Sequence, residues 1–226
     1  TRFDWFDKVT HVVSLKQMKF WFAKRFLLPD LVHRYNYIFL WDEDPILTKS
    51  FDPLKFIDIL DNNNLELASP AYPNYGYPIV TPHFGLSGRY TSFVEVGFPV
   101  FSTTIWPCVW HLMFSDLVTG SGIDRVWRNC ALDSTGIVDG MPIRHASLGS
   151  FSKTKYKNIG LAEEKWVAKR IKKKYPKKNL LWSKNPHKTF REFTYGPKFG
   201  NATLIELWQT DPKPPKKMPD DIVIYP

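Results

Sequence analysis

The stretch Tyr37 to Asp44, YIFLWDED, constrains this chain most: five apolar or aromatic residues run without a break into three consecutive carboxylates. A continuous apolar run of that length is the pattern of a central strand covered on both faces. The carboxylates then lie at the strand's C-terminal end. Along an extended backbone alternate side chains share a face, so Asp42 and Asp44 converge while Glu43 turns elsewhere.

The surrounding pattern alternates. Residues 8–14 (KVTHVVS) read as a short strand, and residues 15–28 as a helix with Met18, Trp21, Phe22 and Phe26 on one face. Residues 51–60 predict a helix with Asp52 as N-cap and Pro53 at the first helical position. A strand over 65–68 follows, and then residues 69–88, crowded with Pro, Gly and Tyr, read as a long surface loop. Strand character returns over 91–102 around a Gly-Phe-Pro interruption. Helices are expected over 105–118 and 123–132, separated by the glycines of TGSG, and a strand over 136–139. Strand and helix in turn argue for an α/β sheet with parallel strands, whose ligands bind outside the strands' carboxyl ends. That is where WDED falls.

The 226 residues are enough for one ordinary domain, read here as residues 1–150, with residues 151–226 as a basic, Pro/Lys-rich C-terminal extension. The formal charge of +9 is local: residues 165–191 hold eleven Lys or Arg and no acid, while the rest of the chain carries 20 bases against 22 acids. Trp166, Tyr175 and Trp182 interleave with that window, so a nucleic-acid partner is one expectation. Lysine dominates and no binding motif appears, which favours a solvated helix or an anionic membrane surface. No run approaches the roughly 20 apolar residues that cross a bilayer. Two cysteines, Cys108 and Cys130, allow one disulfide or two buried thiols and exclude a Cys-rich zinc site.

Two convergent carboxylates suit a hard cation such as Mg²⁺ or Mn²⁺ that keeps positions open for phosphate oxygens. No P-loop and no G-x-G-x-x-G occurs. The competing interpretation of D-x-D is a solvated turn after a strand. Glu95, inside FVEVGFPVF, is a charge in an apolar setting and needs a reason: substrate hydroxyls, or a base such as Arg89. Lys24 and Arg25 are bases that can reach a diphosphate, although helical bases more often face solvent. Trp106, Trp110 and His111 form a helix stripe that belongs to the core or stacks on a sugar.

The blocks HVVSLKQMKFWFAKRFLLPDLVHRYNYIFLWDED, FVEVGFPVFS, CVWHLMFSDLVTGSGIDRVWRNCAL and GIVDGMPIRH together resemble a plant and algal family of unknown function. Its members often carry the label "lysine-ketoglutarate reductase trans-splicing related", whose chemistry no residue here carries. The likeness spans roughly residues 3 to 149. That family is similar to nucleotide-sugar glycosyltransferases of the GT-A fold, a Rossmann-like mixed, mainly parallel sheet flanked by helices. The resemblance implies a metal-dependent transfer of sugar from a nucleotide-diphosphate donor to an acceptor hydroxyl. On it, Asp44 is the direct Mn²⁺ or Mg²⁺ ligand, Asp42 touches metal or donor, and His145 supplies a later ligand, or is simply a surface-loop histidine. Asp124, just past TGSGID, falls where inverting enzymes carry the base, which must be ionised to act, and also where a helix dipole alone favours an acid. Glu95 would bind substrate hydroxyls. Members carry a strand-helix-strand stretch before the point where this chain begins, so the first strand-helix unit is expected to be missing. The resemblance further implies the secretory pathway or Golgi, with a membrane anchor upstream. The alternative is a non-catalytic carbohydrate- or nucleic-acid-binding protein using residues 165–191.

Overall fold

The computed structural model of the protein describes residues 6–14, 16–73, 78–146, 153–176, 180, 189–198 and 200, with residues 153–157 as backbone only. The expected Pro/Lys-rich end and Trp182 lie outside the described residues. In chain order come α1 (Lys19–Phe26), α2 (Pro29–Val32), β1 (Tyr37–Phe39), β2 (Pro45–Leu47), α3 (Pro53–Asn62), β3 (Leu67–Pro70), β4 (Gly88–Thr91) and β5 (Val100–Ser102). The second half adds α4 (Trp106–Leu112), α5 (Arg128–Ala131), β6 (Thr135–Val138), β7 (Ile143–His145), α6 (Lys153–Lys174) and β8 (Thr189–Phe193).

Six strands form one sheet in the order β1-β5-β3-β6-β4-β8, and β2 pairs with β7 in a separate antiparallel ribbon. The expectation of a mainly parallel sheet is corrected: among the described residues β3 and β6 are the one parallel neighbouring pair, and every other pairing is antiparallel. The physical reason is insertion. From these pairings β1, β3, β6 and β8 all run the same way, and β5 and β4 are slotted between them in the opposite sense. The architecture is mixed α/β.

The YIF run forms β1, yet among the described residues β1 is an edge strand bonded to β5 alone, and the central position expected from its apolar run is not observed. Its apolar character has another cause, since both its faces carry aromatic or aliphatic cover. Ile38 and Leu40 are buried in the larger core cluster, while Phe39 meets Phe56 in a tilted pair and Trp41 meets Phe51 edge-on, on the α3 side, at centroid distances of 5.9 and 5.8 Å. The ladder continues past the strand: Leu40 N–H donates to Pro99 O at 3.0 Å and Asp42 N–H to Gly97 O at 2.9 Å. The acids are thereby zipped against the chain that enters β5.

No strand forms over residues 8–14, where only a 3₁₀ turn, Phe6–Lys8, precedes irregular chain. In α1 the buried residues are Phe20 and Ala23, one step off the predicted face, and Met18 and Phe26 are exposed. Asp52 caps α3 as expected, its Oδ1 accepting from Leu54 N and Lys55 N. The two later helices are shorter than predicted because residues 113–127 are turns around Gly120 and Gly122, both at positive φ. Cys108 and Cys130 form a disulfide linking α4 to α5.

After residue 150 the chain packs onto the same core: Val167 and Ile171 of α6 belong to the larger cluster, and β8 adds the last strand of the sheet. None of the described helices is long and apolar enough to cross a membrane.

Candidate active site at the carboxyl edge of the sheet

Because β1, β3 and β6 are co-directional and β5 opposes them, their C-terminal ends and the N-terminal end of β5 share one edge of the sheet. That edge receives Asp42 and Asp44 after β1, Tyr72 after β3, Glu95 to Gly97 before β5, and Asp139 after β6. The β2–β7 ribbon brings in His145, whose register partner is Pro45, the residue after Asp44.

Asp44 Oδ2 and His145 Nε2 stand 2.9 Å apart, and Ala146 N–H donates to Asp44 O at 3.0 Å. The imidazole is edged by Phe98 at 5.3 Å and Tyr72 at 6.0 Å between centroids, which fixes its plane. Glu95 Oε2 accepts from the Tyr72 hydroxyl at 2.9 Å and from Gly97 N–H at 2.6 Å. The possible pairing of Glu95 with Arg89 is not observed. Arg89, fully buried, grips Asp139 with two bonds of 2.9 Å and also donates to Thr81 O. Its Nη1 lies 3.1 Å from His83 Nε2. Burial and the Arg89 charge together hold His83 below its ordinary pKa.

Asp42 Oδ1 lies 2.6 Å from Lys19 Nζ at the start of α1. Burial raises the Asp42 carboxyl above the usual range; Lys19 opposes the shift, and the charges of Glu95 and Glu43 reinforce it. Asp124 is buried, with one oxygen taking the Gly122 N–H at 3.1 Å. Burial pushes its pKa up to about 8, helped by Glu95 and Glu164 and opposed by Arg125 and the Gly122 N–H. It therefore keeps its proton at neutral pH.

Of the expected site residues, the structure gathers Asp42, Asp44, Glu95 and His145 at one edge and couples Asp124 to them through the Glu95 charge. Lys24 is engaged elsewhere: its Nζ donates to Trp110 O at 2.5 Å and rests 3.3 Å from the centre of the Trp110 ring. Burial, with Lys174 nearby, lowers its pKa to about 8. Arg25 is exposed on the last turn of α1. Lys19 and Tyr72 were not legible in the sequence, because nothing in their local pattern points across the sheet to Asp42 or Glu95. Trp41, adjacent to Asp42, buries its indole Nε1 without an acceptor among the described residues.

As a metal centre the donors are divided. Asp44 and His145 offer one oxygen and one imidazole nitrogen facing each other, a combination that suits Mn²⁺, while Asp42 is already neutralised by an ammonium. Among the described residues no three of His, Cys, Asp and Glu form a ready-made cage. At the other end of the β2–β7 ribbon, an open cleft of about 510 Å³ lies beside the N-terminus of α3, lined by Lys49, Lys55, Lys198, Asp52 and Gly140.

Neither a curated protein nor a solved structure matches the chain. A family model matches residues 1–82 and 87–189, and the chain belongs to that family, described as "Protein of unknown function (DUF707)".

Proposed function

We propose that the protein is a metal-dependent glycosyltransferase with a GT-A-like organisation, acting at the carboxyl edge of its sheet on a nucleotide-diphosphate sugar and an acceptor hydroxyl. The observation that carries this reading is the pairing of Asp44 with His145 at 2.9 Å, brought from 101 residues apart in the chain to the edge that also holds Asp42 and Glu95. Asp44 and His145 would hold a Mn²⁺ or Mg²⁺ ion, whose charge offsets that of a leaving diphosphate. Glu95, fixed through Oε2 by Tyr72 and Gly97, leaves Oε1 for a sugar or acceptor hydroxyl. Asp124 would take the acceptor proton in its ionised form, which its raised pKa of about 8 favours only on the alkaline side of neutrality. Lys24 and Arg25 as diphosphate contacts require Lys24 to leave Trp110.

The Cys108–Cys130 disulfide supports a setting in the secretory pathway, where such bonds persist. A second reading, a non-catalytic binder of carbohydrate or nucleic acid, rests on α6, which exposes Lys165, Lys169, Lys172 and Lys173.

Calorimetry with Mn²⁺ and a panel of nucleoside diphosphates, followed by a donor-hydrolysis screen of the matching sugar nucleotides, tests the proposal. Metal-dependent nucleotide binding that Asp44→Asn abolishes is the expected result. Salt-sensitive RNA or glycan binding with no metal-dependent nucleotide binding rejects it in favour of the second reading.

A further inference from the structure

Lys19 reaches the acid edge from the first residue of α1, and its ammonium is enclosed by oxygens. Asp42 Oδ1 is 2.6 Å away, Val96 O 2.5 Å and Gly97 O 3.3 Å. An ammonium has three N–H donors, so these acceptors use all of them and leave none for a phosphate. The side chain is 18% exposed. Carboxylate and backbone carbonyl oxygens converging on one positive charge are the donor types a hard divalent cation selects.

Gly97 supplies an independent sign of how tightly this edge is drawn together. A Cβ built there would meet Glu95 Oε2 at 2.8 Å, Asp42 Oδ2 at 3.6 Å and the Tyr72 hydroxyl at 3.8 Å. Two carboxylates and a phenol thus close around a position that a side chain would fill, and Lys19 pairs with one of those carboxylates, Asp42, and with the Gly97 carbonyl itself.

From this we infer that Lys19 is the resident cation of the Asp42 site, a specificity-determining residue that withholds Asp42 from a divalent metal and confines metal binding to Asp44 and His145. The inference rests on the metal-dependent reading of the same edge. It assigns a division of labour within WDED: the first acid anchors α1 to the β5 entry, and the third serves the metal. Removing the ammonium frees Asp42, with two carbonyl oxygens beside it, as an additional ligand.

The test is Mn²⁺ binding to the purified chain, read by calorimetry and by the electron paramagnetic resonance of free Mn²⁺. Lys19→Gln, which keeps amide donors for the carbonyls while removing the charge, is expected to bind Mn²⁺ about tenfold tighter than wild type. Lys19→Arg is expected to match wild type, and Lys19→Gln combined with Asp42→Asn to lose the gain. An unchanged or weaker affinity in Lys19→Gln overturns the assignment, as does Mn²⁺ binding by none of the proteins. Should Lys19→Gln fail to fold, single variants decide: a loss confined to Asp44→Asn supports the inference, and equal losses in Asp42→Asn and Asp44→Asn overturn it. Donor hydrolysis is read separately. Its absence beside the Lys19→Gln gain removes the transferase reading and leaves Lys19 as the resident cation.

Discussion

Asp124 shows how a single residue's burial fixes both a stability profile and a reaction profile. Its folded pKa of about 8 lies above the ordinary 3.8, so between those values the unfolded chain is ionised while the folded one still holds the proton. Folding must then bind a proton, and stability falls as pH rises, by up to about 1.4 kcal/mol per pH unit from this group. Below pH 4 both states are protonated and the penalty vanishes; above pH 8 it is constant. Asp124→Asn keeps an oxygen for the Gly122 N–H and cannot ionise. Thermal melts at pH 4, 6 and 8 should therefore show the variant gaining on wild type as pH rises, with no difference at the acid end, and parallel profiles would mean that the carboxyl is not held neutral. If the same group is the base, wild-type turnover should climb toward pH 8 and the variant should lose most of its activity at every pH. His83 contributes in the opposite direction. Its lowered pKa means that stability is lost as pH falls below about 6.5 toward the folded value. His83→Gln should flatten that acid limb in the same melts.

At the scale of elements, legibility followed whether each pattern was local. The cap and first turn of α3 were readable because Asp52 and Pro53 act within four residues of themselves. Of the long helix α6 only a solvated basic stretch was readable and its packed face was not, because the described residues it buries at helical spacing are Gly160, Glu163, Val167 and Ile171, and two of these four are not apolar. Gly160 lies over Ser121, where a Cβ would come within 2.8 Å of its hydroxyl oxygen. Glu163 accepts from Val118 N at 2.5 Å, Thr119 N at 2.8 Å, Ser121 N at 3.1 Å and the Thr119 hydroxyl at 2.5 Å. Its neighbour Glu164 pairs with Arg125 at 3.4 Å. The helix thus holds the loop that carries Asp124. Glu163→Ala would leave the buried Thr119 N–H and the part-buried Val118 N–H without their acceptor, for an expected loss of about 3 kcal/mol in denaturant unfolding. Hydrogen exchange should rise over residues 118–125 before it rises in β3 or β6. A loss below about 0.5 kcal/mol, the range of an ordinary surface substitution, would show that Glu163 does not clamp the loop.

For the whole molecule, the sequence pattern revealed that acids end a strand but not where in the sheet that strand lies. Strand order depends on pairings such as Tyr37 with Ser102 and Leu67 with Thr135, each more than 60 residues apart, and no local period encodes them. The same limit applies to the site, since Asp44 meets His145 only because β2 and β7 pair. Covalent closure was equally open in the sequence, where a disulfide and two thiols stood level, and the fold decides it by setting the Cys108 and Cys130 Cα atoms 5.7 Å apart. That bond closes a loop of 22 residues around the turns that lead to Asp124, and in the chain-entropy account a loop of that size is worth about 3 kcal/mol. A Cys108→Ala, Cys130→Ala double variant should therefore unfold at lower denaturant by that amount. Wild type in excess reductant should fall to the same midpoint, while the variant ignores reductant. Because the sheet edge bearing Asp44 and His145 lies outside the closed loop, Mn²⁺ affinity should survive the double substitution. Activity that relies on Asp124 should be the more sensitive to reduction. Equal midpoints for oxidised and reduced wild type would show that the loop is held by packing alone, and would remove the disulfide as support for an oxidising compartment.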